Sequence, residues 1–375
     1  TVDGITLTTN GSTVTTISGR LEWECDENGT KLPLRIARVE LRDQDVLGSQ
    51  CIAEQYPDTN GEYCFTFSEW EELENGGADV FIRCYLESET FEVGRIWQSD
   101  ELPFIDNYYF DTLVVENVNS GTTVEYNSYI GYDEGVAAQK AAYVHQGMVV
   151  GQRFAYAMGM RTNLNLNVAS PASAPFTDLH QSGFCGGNIN EQCMAAIGTD
   201  NFNSFDTHIH EYGHFVQWSM GNYGSSLWDI FLNGARHNAW DDHFDADYNK
   251  TYAMDLTWSE SWATAFSQIA QRYYANEYDG VPGYNDISPY DPEEYQTYIN
   301  HYETYDYGND SGEAQEYAVT AALWDLFDSG TNESFDTVSW GYQKWWNFTT
   351  RQGTYTLTDF ANVIDTYYDL VLYLH

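Results

Sequence analysis

Basic residues are what this 375-residue chain has least of: 15 Lys and Arg stand against 57 Asp and Glu, a net charge of −42 with histidines neutral. Four of those 15 are lysines, Lys31, Lys140, Lys250 and Lys344. This excludes nucleic acid as a partner, because neutralising phosphates takes clustered Lys and Arg. An acidic, lysine-poor surface suits high salt, where screening blunts self-repulsion, and it equally suits an ordinary acidic extracellular protein. No apolar run approaches the ~18–20 residues that cross a bilayer as a helix, so no membrane span is expected. Thr1 opens no charged-then-apolar signal pattern, and the chain reads as a processed mature form. No Cys-x2-Cys pair occurs, which removes the commonest thiolate zinc pattern.

The cysteines fall as Cys25, Cys51, Cys64 and Cys84, then Cys185 and Cys193. An even count divided this way predicts disulfides within each part of the chain, hence an oxidising compartment. The first four allow three pairings, which stay open. Cys185 and Cys193 have only each other nearby and are expected to pair. Six Asn-x-Ser/Thr triplets, at Asn10, Asn28, Asn249, Asn309, Asn332 and Asn347, agree with a secreted or cell-surface location and mark candidate glycosylation sites.

Residues 1–98 read as β. Apolar and charged residues alternate through Ala37–Arg42, and a turn at Asp58-Thr59-Asn60-Gly61 precedes the strand-like Glu62–Phe67. Val80, Ile82, Cys84 and Leu86 repeat the period. Short strands at this spacing predict an antiparallel β-sandwich. The turn and the aromatic strand after it resemble the transthyretin-like or carboxypeptidase-regulatory β-sandwich modules.

From about residue 133 the period becomes helical, in a run of good helix formers reaching Met158. Leu164–Val168 and Met194–Gly198 read as strands. Helices are then expected over 204–220, 256–275, 312–328, 337–350 and 357–373, the last capped by Thr356 with Asp359 in the first turn. The fold class expected is therefore multidomain α+β. An N-terminal β-sandwich (1–98) precedes a mainly helical domain (99–375) with a small sheet.

The segment that carries chemistry is His208-Ile209-His210-Glu211-Tyr212-Gly213-His214. Residues four apart share a helix face, so His210 and His214 can grip one ion. Neutral imidazole suits Zn²⁺, and Glu211 stands beside the first histidine as a candidate base. Two histidines on a helix also occur as plain surface or core residues. A third donor separates the readings: Glu260 lies inside the aromatic run Trp258–Ala263, and buried carboxylates need a partner. Three protein ligands leave a fourth position open, as catalytic zinc requires. His208, His237 and His243 are alternative ligands.

His210-Glu211-Tyr212-Gly213-His214 followed by Ser259-Glu260-Ser261-Trp262-Ala263 resembles the gluzincin metallopeptidases, the group that contains thermolysin, fungalysin and the zinc aminopeptidases. The run Glu316–Leu326 is similar to a helix that follows the site in fungalysin-like enzymes. The resemblance implies a zincin-type catalytic domain with zinc on His210, His214 and Glu260, and with Glu211 as general base in peptide hydrolysis. By the same resemblance Met194, Ala195, Ala196, Ile197 and Gly198 would form an edge strand pairing with an extended peptide substrate. The oxyanion donor is sought among His301, Tyr302, Tyr305, Tyr307 and Tyr317, with Tyr307 and Tyr317 preferred.

Three departures qualify the match. Forty-six positions separate His214 from Glu260, so residues 221–256 are expected as an inserted loop. Thr264 stands where thermolysin-like enzymes place an aspartate that orients a ligand histidine, so that support must come from elsewhere. The metzincin extension is missing, with Gln217 and Met220 at its positions. In the insertion, Asp241, Asp242, Asp245, Asp247 and Asn249 form an acidic cluster that suits either Ca²⁺ or plain solvation, although Lys250 and Leu256 break the EF-hand pattern. Two functions compete. One is a secreted zinc peptidase; the other is an extracellular surface or filament protein that keeps a peptidase scaffold and self-assembles through its β domain.

Overall fold

Alternation sets the strands of the N-terminal half. In Glu62–Phe67 the side chains of Tyr63 and Phe65 are buried, while Glu62, Cys64 and Thr66 are exposed, as a half-buried strand requires. The turn before it is built by Asp58, whose Oδ1 accepts from the backbone N–H of Asn60 (2.8 Å) and of Glu62 (2.9 Å). Gly61 takes the left-handed φ of 77° there, which side chains disfavour.

The computed structural model describes residues 2–9, 14–45, 48–67, 77–98, 103–131, 137–170, 183–184, 193–198, 202–221, 250–278, 280–284, 316–327, 339–351 and 360–361. Both sheets and helices are present, with several antiparallel pairings, and the class is α+β. The chain divides into two units. The first holds Thr1–Val149, Asn167–Gln181 and Ala196–Asn203; the second holds Val150–Leu166, Ser182–Ala195 and Ser204–His375.

In the first unit β1 (Val2–Thr9), β2 (Thr15–Glu24), β3 (Lys31–Pro33), β6 (Glu62–Phe67) and β12 (Thr122–Ile130) make one sheet, ordered β1-β12-β2-β3 with β6 also on β2. A second sheet contains β4 (Arg38–Asp45), β5 (Gly48–Gln55), β7 (Ala78–Tyr85), β10 (Tyr109–Asp111) and β11 (Val115–Val118). The buried faces carry Ile17, Leu21, Trp23 and Val124 on one sheet, and Val39, Leu41, Val80 and Ile82 on the other. Tyr126 links them, its phenol donating to the Val80 carbonyl at 2.7 Å. A further antiparallel pair joins β8 (Phe91–Gln98) to β9 (Pro103–Asn107), and Ser170 N–H, just past β13 (Leu166–Ala169), donates to the Gly94 carbonyl at 3.1 Å.

Three expectations change here. The β structure does not stop at residue 98, because β12 lies between β1 and β2 while β10 and β11 pair with β7. The first sheet is not wholly antiparallel: β12 and β2 run parallel, Thr123 opposite Thr16 through Ile130 opposite Trp23. Cys25, Cys51, Cys64 and Cys84 are free thiols rather than disulfides. Cys25 and Cys84 are buried, beside β2 and on β7, while Cys51 on β5 and Cys64 on β6 are exposed. Burial pushes the Cys25 thiol up to about 11 and raises that of Cys84 as well.

Helix α1 (Ala137–Ala157) falls within the expected helical run to Met158. In the second unit α2 (Phe205–Ser219) begins at Ser204, whose side chain caps the N–H of Thr207 at 3.3 Å, with Asp206 favourably placed in the first turn. Helix α3 (Lys250–Tyr278) packs against it. Close approach is possible because Gly213 has no side chain: a Cβ there would stand 3.1 Å from the Ala263 Cα and 3.2 Å from the Phe266 ring. Ser267 Oγ donates to the Asp206 carbonyl at 2.9 Å, which fixes the register of the two helices. Trp262 stacks on Phe266 and on Trp345, at 5.2 and 5.7 Å between centroids. Trp345 belongs to α5 (Gly341–Thr349), and its indole N–H donates to the Leu323 carbonyl of α4 (Glu316–Phe327) at 3.0 Å. Of the helix expected over 357–373, only 360–361 are described; they are helical, and Phe360 packs on Trp258 at 5.4 Å.

Candidate metal centre

The i, i+4 spacing on α2 places His210 and His214 one turn apart, with ring centroids 4.7 Å apart. Their Nε2 atoms lie 3.0 Å from each other. Glu260 of α3 closes the triangle, its Oε2 standing 3.1 Å from His210 Nε2 and 3.2 Å from His214 Nε2. Among the described residues this is the group whose ligand atoms could hold a metal ion. Ligands at 2.0–2.1 Å around a tetrahedral ion stand about 3.3–3.4 Å apart, so the triangle needs only slight expansion to seat one. The His214 side chain is 3% exposed, against 20% for His210 and 16% for Glu260, so the group opens toward solvent on the side of His210 and Glu260.

The outer nitrogens are held by hydroxyls. His210 Nδ1 lies 3.1 Å from Thr264 Oγ1, and His214 Nδ1 lies 3.2 Å from Ser259 Oγ. Ser259 in turn donates to Gln217 Oε1 at 3.0 Å. Both hydroxyls belong to the helix that carries Glu260. Sequence reading named Thr264 only as a departure and missed Ser259. The available signal was helical: Ser259 adjoins Glu260, and Thr264 follows it by one turn.

Glu211 is buried at 4% exposure on the same helix as both histidines. His208 is fully buried and stands outside the triangle. The expected strand is β15 (Cys193–Ala196); Ile197 and Gly198 lie beyond its end, and Ala195, Ile197 and Gly198 are buried. It is not an open edge along its whole length, since β14 (Gly183–Phe184) pairs with it within the second unit. Tyr317 lies on α4, with its side chain outside the described residues. Tyr307, His301, Tyr302, Tyr305, Cys185, His237, His243 and the acidic cluster Asp241–Asn249 also lie outside them, as do the Cys193 side chain and Asn10, Asn309 and Asn332. Asn28 and Asn347 are exposed.

Comparison with models of known protein families finds no match, and neither does comparison with curated proteins. Among solved structures the chain is similar to a 9R-lipoxygenase from Cyanothece, at 17% identity and a TM-score of 0.23, over 39% of this chain. It spans 24% of the lipoxygenase's length, and a likeness of that size carries no statement about fold or activity.

Proposed function

We propose that the second unit is a zincin-type catalytic domain, and that the protein is a secreted zinc-dependent peptidase. One observation carries the reading: three ligand atoms of types that suit Zn²⁺ converge within 3.0–3.2 Å, and each imidazole is held from behind by a hydroxyl. Three protein ligands are the number that leaves a catalytic zinc one open position. Zinc, when bound, supplies Lewis acidity toward a scissile carbonyl and toward water. Glu211 serves as general base, taking the proton of the attacking water and returning it to the leaving amine. Tyr317 and Tyr307 are the candidates to donate to the developing oxyanion. Exposed Asn28 and Asn347 support an extracellular setting as acceptors for glycan.

The test is cleavage of fluorescent casein by wild type and Glu211→Gln, with zinc content measured on both. One zinc per chain in both proteins, and cleavage by wild type alone, is the expected result. Absence of zinc from wild type would remove the metal centre. Zinc in both with cleavage by neither, over a panel of peptides as well as casein, would favour a metal-stabilised surface or filament protein.

A further inference from the structure

A serine hydroxyl has one proton to give, and an amide oxygen only accepts. The proton of Ser259 goes to Gln217 Oε1, 3.0 Å away. His214 Nδ1, 3.2 Å from the same Oγ, must then donate to it. A neutral imidazole with its proton on Nδ1 presents the lone pair on Nε2. That Nε2 is the atom standing 3.0 Å from His210 Nε2 and 3.2 Å from Glu260 Oε2. From this we propose that Gln217 is a positioning residue: by directing the proton of Ser259 it selects the His214 tautomer that can ligate a metal.

The inference rests on the metal-centre reading and extends it to a residue three positions past His214 that touches neither ion nor substrate. The relay is shielded: Gln217 is 2% exposed, and Ser259 and His214 are each 3% exposed, so bulk water does not replace a missing partner. The orientation of the amide decides the outcome. Were it reversed, its NH₂ would donate to Ser259, the serine O–H would donate to an unprotonated Nδ1, and Nε2 would carry the hydrogen and be closed as a ligand.

The experiment compares wild type with Gln217→Met, which keeps length and loses the acceptor, and Gln217→Glu, which keeps the acceptor. Ser259→Ala and the double variant Gln217→Met/Ser259→Ala complete a cycle. Zinc affinity is measured by competition with a chromophoric chelator. Gln217→Met should bind zinc about tenfold more weakly, the low end of what outer-shell partners of a ligand histidine contribute. Gln217→Glu should stay within about threefold of wild type by the same reasoning. The double variant should be no weaker than Ser259→Ala, because both substitutions cut one path.

The tautomer is read directly from the ¹⁵N shifts of His214 in metal-free protein, with Nδ1–H expected in wild type and Gln217→Glu and depleted in Gln217→Met. Unchanged shifts and affinity in Gln217→Met, or additive losses in the cycle, would overturn the relay. Should wild type bind no zinc, the metal centre falls while the ¹⁵N shifts still decide the tautomer. Circular dichroism of the metal-free variants separates misfolding from a lost hydrogen bond.

Discussion

Thr264 Oγ1 lies 3.1 Å from Nδ1 of His210, one helical turn beyond Glu260, which stands on the other side of the same ring. One helix therefore carries both a carboxylate of the candidate metal group and the hydroxyl behind one of its imidazoles. Thr264→Val keeps the shape and removes the hydroxyl from a site that is 3% exposed. Zinc affinity should fall roughly 10- to 100-fold, as for other outer-shell partners, while Thr264→Ser should hold close to wild type. Competition titration with a chelator measures both. Equal affinity in wild type and Thr264→Val would show that the hydroxyl does not orient the ring.

Glu211 adjoins His210 yet completes no edge of the triangle, so under the peptidase reading its removal should separate binding from chemistry. Glu211→Gln is expected to keep one zinc per chain and to lose cleavage by about 10²- to 10⁴-fold, the usual contribution of a general base. Loss of zinc from this variant would instead make Glu211 part of the ligand set.

Much of this centre was legible because it is written within single helices. The i, i+4 histidines and buried Phe205, Ile209, Phe215 and Val216 all follow from one period of 3.6 residues. The strand at Glu62–Phe67 was equally local, a matter of alternation after the Asp58–Gly61 turn. Pairings between distant segments were not. Nothing in Thr122–Ile130 announces that it runs parallel to Thr15–Glu24, because the choice is made by tertiary burial of Val124 and Tyr126 against residues a hundred positions earlier. Ser259 and Gln217 escaped for the same reason: their bond depends on the register of two helices, which no single-helix pattern encodes. The cysteines misled because an even count says nothing about which faces the thiols occupy.

That helix register hangs on Gly213. An added Cβ would sit 3.1 Å from the backbone of Ala263 and 3.2 Å from Phe266, so one atom demands a shift of a few tenths of an ångström and a branched side chain demands more. Gly213→Val should destabilise the protein by roughly 1–3 kcal/mol through overpacking, despite the gain over glycine in helix propensity. It should also weaken zinc binding, since His210 and His214 move with α2 while Glu260 stays with α3. Urea unfolding of metal-free protein tests the first effect, and chelator competition the second. Unchanged values of both would mean that the two helices adjust at no cost.

His145 provides a pH test in the first unit, independent of any metal. It is fully buried on α1, its Nδ1 sits 3.0 Å from Gln146 Nε2, and its ring lies 5.3 Å from that of Phe91. Burial lowers its pKa from 6.5 to about 3, with a backbone hydrogen bond at Ile36 opposing the shift. Between those values the unfolded chain binds a proton that the folded chain refuses. The group's contribution to stability is therefore fully present above the unfolded value and is lost as pH falls toward the folded one. The slope approaches about 1.4 kcal/mol per pH unit inside the window. The 57 carboxylates titrate over part of the same range, so the useful quantity is the difference between wild type and His145→Gln at fixed ionic strength. His145→Gln cannot gain a proton, and its stability should fall less steeply with acid than that of wild type between pH 6 and 4, by about 1 kcal/mol per unit. Urea midpoints at several pH values give both curves. Parallel curves would mean that the native state admits the proton, and that the imidazole is not sealed from solvent as its burial implies.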